Sequence, residues 1–120
     1  MFALPPKMNT LTINSTNCNQ LIEFYSKLGM LFTTEVKEGI VRYHTYVYKN
    51  LTLEINEVSH HDASTRNVSL QFFINGIDGY IDRLKEKGIK FTKDSWKTET
   101  HQHIQLIDPD GNLVELIAKT

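Results

Sequence analysis

The 120 residues are enough for one domain with a single hydrophobic core, and 40% of them are hydrophobic against 22% charged, the balance of an ordinary globular protein. With 13 basic and 14 acidic side chains the formal net charge is −1, so no global field draws nucleic acid or an anionic membrane. The lone cysteine, Cys18, excludes an internal disulfide and a cysteine-built zinc site, and is read as a small buried apolar residue.

Met1 to Lys7 has no long apolar run and carries Pro5 and Pro6, which fits neither a signal peptide nor a membrane span; a cytoplasmic protein is expected. Leu11 and Ile13 alternate with Thr10, Thr12 and Asn14, the period-two pattern of a half-buried strand. Ser15, Thr16 and Asn17 are helix-starting residues. After them Leu21, Phe24, Tyr25 and Leu28 recur at three- and four-residue spacing, and Gly29 supplies a left-handed cap. Met30 to Val36 reads as a strand and Glu38-Gly39 as a turn. Ile40 to Tyr48 and Leu51 to Asn56 read as two strands joined at Lys49-Asn50. In the last of these Leu51, Leu53 and Ile55 point one way and Thr52, Glu54 and Asn56 the other. The polar stretch 58–67, with His60 and His61 solvated, is a linker within the fold.

The pattern then starts again. Val68 to Ile74 is a strand, Asn75 to Asp78 offers helix-start residues, and Ile77, Tyr80, Ile81 and Leu84 form an apolar helical face ended by Gly88. Ile89 to Lys93, His101 to Ile107 and Leu113 to Ala118 are strands, with a tight turn at Asp108-Pro109-Asp110-Gly111-Asn112. The helix-ending glycine recurs after 59 residues (29 to 88), and the glutamate of the last strand after 61 (54 to 115). The sequence therefore predicts an α+β domain spanning residues 1–120. It is built of two tandem βαβββ modules, one at about 8–57 and one at about 68–119, each burying its sheet against its helix.

Two stretches carry a family likeness. Phe24-Tyr25-Ser26-Lys27-Leu28-Gly29-Met30 resembles the helix end of glyoxalase and bleomycin-resistance proteins. Asp108-Pro109-Asp110-Gly111-Asn112-Leu113-Val114-Glu115-Leu116 resembles their "DPDGN-x-[VI]-EL" hairpin. The chain thus resembles the vicinal oxygen chelate superfamily. The resemblance implies a U-shaped cleft between the modules, and pairing into homodimers. It also implies four strand residues at the cleft floor that hold a divalent metal in enzymatic members. Carried over by position, the last-strand places fall on Glu54 and Glu115. The first-strand places fall near Thr10, with Thr12 an alternative, and on Ser69, with Gln71 a replacement along the same strand face. Thr10 and Ser69 are poor ligands, and two carboxylates without imidazole suit Mg²⁺ or Mn²⁺ better than Zn²⁺.

The residues outside those places leave several readings open. His101 and His103 share one strand face, either as a polar outer surface or as metal-binding imidazoles. His44, Tyr46 and Tyr48 share a face, and His44 with Tyr46 would line a ligand cleft. Trp96 sits in a charged loop, where it would cover a cleft mouth or a dimer partner. Two functions follow from the likeness. One is a small-molecule-binding protein, like the bleomycin-resistance proteins, that holds its ligand in the cleft with no cofactor. The other is a lyase or isomerase of the glyoxalase class using Mg²⁺, Mn²⁺, Ni²⁺ or Zn²⁺. Neither nucleic acid nor a membrane is an expected partner.

Overall fold

The computed structural model describes residues 4–38 and 41–120, so Met1–Ala3, Gly39 of the expected Glu38-Gly39 turn, and Ile40 at the expected strand start lie outside the described residues. In chain order the elements are β1 (Thr10–Ser15), α1 (Cys18–Lys27), β2 (Thr33–Lys37), β3 (Val41–Tyr48) and β4 (Leu51–Glu57). A single 3₁₀ turn at His61–Ala63 leads to β5 (Ser69–Phe73), α2 (Tyr80–Glu86), β6 (Trp96–Lys97), β7 (His101–Ile107) and β8 (Leu113–Lys119). The strands form two four-stranded sheets of the same topology, ordered β1-β4-β3-β2 and β5-β8-β7-β6. In each, the first and last strands of the module run parallel side by side, as a helical crossover allows, and the hairpin strands are antiparallel.

The repeat holds at the level of single hydrogen bonds. Met30 N–H donates to Tyr25 O at 3.2 Å and Gly29 N–H to Ser26 O at 2.9 Å; 59 residues on (30 to 89, 29 to 88), Ile89 bonds Leu84 O at 3.0 Å and Gly88 bonds Lys85 O at 3.0 Å. This is the Schellman closure, and Gly29 and Gly88 sit at φ of 105° and 83°, a conformation that favours glycine.

Three sequence expectations shift. The strand expected at Ile89 to Lys93 is an isolated bridge, Phe91 to Leu106, because Ile89 is spent closing the helix and the pairing resumes only at β6. The strand expected from Met30 begins at Thr33, since Met30 likewise caps α1. The second helix starts at Tyr80, one residue after Gly79 at φ 75°.

One apolar cluster joins the halves. It draws Ile13, Leu53 and Ile55 from the first sheet, Leu70, Ile104, Leu106, Val114, Leu116 and Ala118 from the second, Leu21, Phe24 and Tyr25 from α1, and Leu84 from α2. Polar ties cross the same boundary. The buried Tyr25 hydroxyl donates to Asp108 Oδ2 at 2.8 Å, and Tyr80 donates to Leu28 O at 2.8 Å. Asp108 Oδ1 also accepts from the backbone of Asp110 and Asn112, both at 2.9 Å. Asn112, fully buried, accepts from Val68 N–H at 3.1 Å and donates to Thr65 O at 3.3 Å, while Thr65 exchanges two bonds of 2.9 Å with Asn14. The linker is thus tied to β1 and to the β7–β8 turn. The family-like turn motif acts here as the joint between modules.

Cys18 is buried at the start of α1, its thiol 3.5 Å from Ser15 O. Desolvation first, then the Glu57 and Asp110 carboxylates, push that thiol up to about 11. At pH 8 the folded protein is therefore expected to resist a thiol-specific disulfide reagent that modifies the urea-unfolded chain within seconds. Equal rates in both states would contradict the burial.

The molecule is broad and thin, 49 × 46 × 24 Å, with a radius of gyration of 16.0 Å. A compact domain of this length has about 14 Å. Each sheet covers one face with core residues and leaves the other open.

Candidate functional site

Strand register decides which side chains stand together on those open faces. On the first sheet one row runs Thr12, Glu54, Thr45, Thr33, with Thr33 and Thr45 hydroxyls 3.0 Å apart. The next row runs Asn14, Asn56, Tyr43, Glu35, and Tyr43 donates to Glu35. On the second sheet the matching rows are Gln71, Glu115, Gln105, and Phe73, Ile117, His103, Trp96.

Glu54 and Glu115 thus occupy equivalent places, beside Thr12 and Gln71. Thr10 and Ser69 lie two residues short of the carboxylates, opposite Thr52 and Leu113, and both are exposed. Of the two threonines open in the sequence, Thr12 is the one paired with Glu54. His44 and Tyr46 require a correction. They pair with Ile55 and Leu53, which puts them on the helix side of the sheet and not on the face of Glu54. His44 is buried there with Nδ1 2.8 Å from Thr34 Oγ1, and the Tyr46 ring lies 5.9 Å from Phe32. The polar ends of these aromatics suit a ligand cleft; the hydrogen bond between Thr34 and His44 satisfies the imidazole on the core side instead.

The second sheet carries the richer constellation. Glu115 Oε1 is bonded by His103 Nδ1 at 2.6 Å and by Gln71 Nε2 at 3.3 Å. The Trp96 indole lies on the His103 imidazole with 4.9 Å between centroids and 7° between planes, and the Lys93 ammonium sits 4.0 Å from the indole centroid. The His101 ring is 6.4 Å from His103 and 6.3 Å from Phe73, which is 75% exposed. A carboxylate, an imidazole and an indole are thereby fixed on an otherwise open sheet. Sequence reasoning had singled out His103 for its face-sharing with His101. It missed the bond to Glu115, because the two residues meet only through the β7–β8 pairing.

The divalent ion implied by the fold is poorly served within one chain. Among the described residues no three His, Cys, Asp or Glu side chains come together as a metal-binding group, so Glu54 does not join Glu115 and His103. Thr12 is a weak donor, and Glu115 already accepts two hydrogen bonds. Among the described residues, two cavities lie away from these carboxylates. One of about 420 Å³ runs between α1 and the β7–β8 turn, past Glu23, Lys27, Lys90 and Ile107. Another of about 170 Å³ is lined by Asn17, His61, Arg66 and Asp110.

The profile of the Glyoxalase/Bleomycin resistance protein/Dioxygenase superfamily matches residues 7–116. The chain belongs to this superfamily. Solved structures share its architecture, which matches the two tandem βαβββ modules seen here. An antibiotic-binding protein from Streptomyces sp. aligns with a TM-score of 0.77 at 16% identity, covering 99% of this chain and 100% of its own. A glyoxalase/dioxygenase from Nostoc punctiforme aligns at 0.76 and 19% identity, covering 100% and 98%. An integron cassette protein from the mobile metagenome of V. cholerae aligns at 0.74 and 15% identity, covering 98% of each chain. No curated protein matches at a significant level. Within the superfamily the fold is a scaffold for differing chemistries, so the residues on the open sheets carry the functional argument. No helix among the described residues is long and apolar enough to cross a membrane.

Proposed function

We propose that this superfamily member is a small-molecule-binding protein that holds its ligand against the open face of the second sheet, without a metal. The observation that carries the reading is the Trp96–His103–Glu115–Gln71 array, in which Glu115 is engaged by protein donors and the aromatic rings offer a flat surface. The antibiotic-binding protein of similar fold is in keeping with it. Pairing with a second copy belongs to the same proposal. It would lay the Thr12–Glu54 face of one chain over the Gln71–Glu115 face of its partner, and so cover the exposed Phe73.

A second reading, a lyase or isomerase of the glyoxalase class using a divalent ion, is favoured by one observation: Gln71, with an amide oxygen to offer, stands beside Glu115. A melting series separates the two. For the binding protein, about 1 mM Mg²⁺, Mn²⁺, Ni²⁺ or Zn²⁺ is expected to shift the melting temperature by less than about 1 °C, because a ligand stabilises only what binds it. A rise of several degrees that disappears in both Glu54→Ala and Glu115→Ala would decide for the enzyme.

A further inference from the structure

We infer that the Glu115 carboxylate of this chain serves His103 rather than a metal ion, and that the imidazole so fixed accepts a hydrogen bond from the hydroxyl of a planar aromatic ligand. The inference deepens the proposed function and rests on the ligand lying against the second sheet.

The proton positions follow from the bonding. An ionised carboxylate has lone pairs and no proton to give, so His103 Nδ1, 2.6 Å from Glu115 Oε1, is the donor. With Nδ1 donating, a neutral imidazole keeps its lone pair on Nε2, on the far side of the ring from that bond. His103 Nε2 is shut off from water and has no hydrogen-bond partner. Buried acceptors left unpaired are uncommon in native proteins and call for a reason. A ligand that donates to Nε2 supplies one.

The register of the sheet defines the rest of that ligand. Phe73, Ile117, His103 and Trp96 form a row of rings and hydrocarbon, and Gln71, Glu115 and Gln105 form a polar row beside it. Neighbouring strands are spaced about 4.8 Å apart, so two fused rings of roughly 7 Å lie across two strands of the apolar row. The donor must be uncharged, because the Lys93 ammonium, 4.0 Å from the indole centroid, repels an amine cation at the same place. A neutral aromatic hydroxyl meets all three conditions. Nε2 is covered in the free protein, so the ligand must displace a neighbour to reach it; Trp96, stacked on the same imidazole, is carried by a strand of two residues and gives up only a short ladder in moving.

Trp96 is the single tryptophan, so its indole N–H is one resonance reporting directly on the site. The probes are 2-naphthol and its methyl ether, which differ in the donor alone, added to the full-length protein in EDTA. Long-range ¹⁵N–¹H spectra should show His103 as the Nδ1–H tautomer in the free protein. Naphthol should move the indole and the His103 Nε2 resonances. The ether, lacking the donor, should bind about tenfold more weakly. In His103→Gln or Glu115→Gln the preference for naphthol should vanish, and should either variant fail to fold, the wild-type tautomer and the naphthol–ether comparison still decide. Equal binding of both probes at the indole would overturn the dyad while leaving the ligand face in place. An indole unmoved by either probe would overturn the inference together with the reading beneath it. A requirement for Mn²⁺ would return Glu115 to metal duty.

Discussion

Replacing Asp108 by alanine is expected to lower the melting temperature by about 10 °C, from a loss of roughly 3 kcal/mol. The carboxylate is 2% exposed and accepts three hydrogen bonds, from the Tyr25 hydroxyl and from the backbone of Asp110 and Asn112. Alanine leaves those donors buried without partners and removes the tie from α1 of the first module to the turn of the second. Burial, then the charge and bond of Asp108, hold the Tyr25 phenol well above its usual range, so it stays a donor at every working pH. Tyr25→Phe should cost less, about 1 kcal/mol, because the carboxylate keeps its two backbone donors. In a double-mutant cycle the two losses should fail to add, as for residues sharing one bond. Additive losses would show that the cross-module bond contributes nothing of its own.

Leu84→Ala is expected to cost about 3 kcal/mol, with the second module loosening first. α2 runs only from Tyr80 to Glu86, too short to persist without tertiary packing, and Leu84 is its buried anchor at 1% exposure. The backbone carbonyl of the same residue receives the Ile89 N–H that closes the helix at 3.0 Å. Truncation therefore opens a cavity and weakens the cap together. Urea denaturation gives the free energy, and hydrogen exchange at the Ile89 amide reports whether the loss is local. A cost below about 1 kcal/mol, with Ile89 still protected, would mean that the helix is held by its other contacts.

Most of the architecture was legible because it is written in local pattern. Alternation in Leu11–Ile13 and Leu51–Ile55, helical spacing in Leu21–Leu28, and the glycines at 29 and 88 each act within a few residues, and their recurrence exposed the duplication. Where two local signals competed for one residue, the reading slipped. Ile89 looks like the first residue of a strand and is instead the last contact of a helix cap.

The candidate site was legible only in part. Glu54 and Glu115 could be named from the likeness, but whether Thr10 or Thr12 stands beside Glu54, and Ser69 or Gln71 beside Glu115, depends on a parallel pairing across 40 residues of chain and more. A slip of two residues keeps every side chain on its face, so no local pattern distinguishes the alternatives. His44 and Tyr46 were assigned to the cleft from their polar tips, and the facing of β3 against Ile55 and Leu53 sends them to the core.

The sequence by itself determined two modules, their elements and the carboxylate each contributes, since periodicity and turn chemistry are properties of neighbours along the chain. Tertiary structure alone decided that Glu115 meets His103, that Trp96 lies on that imidazole, and that Asp108 pins Tyr25. Those meetings are made by strand register and by the packing of one module on the other, and a hydrogen bond between distant residues leaves no trace in the spacing of either.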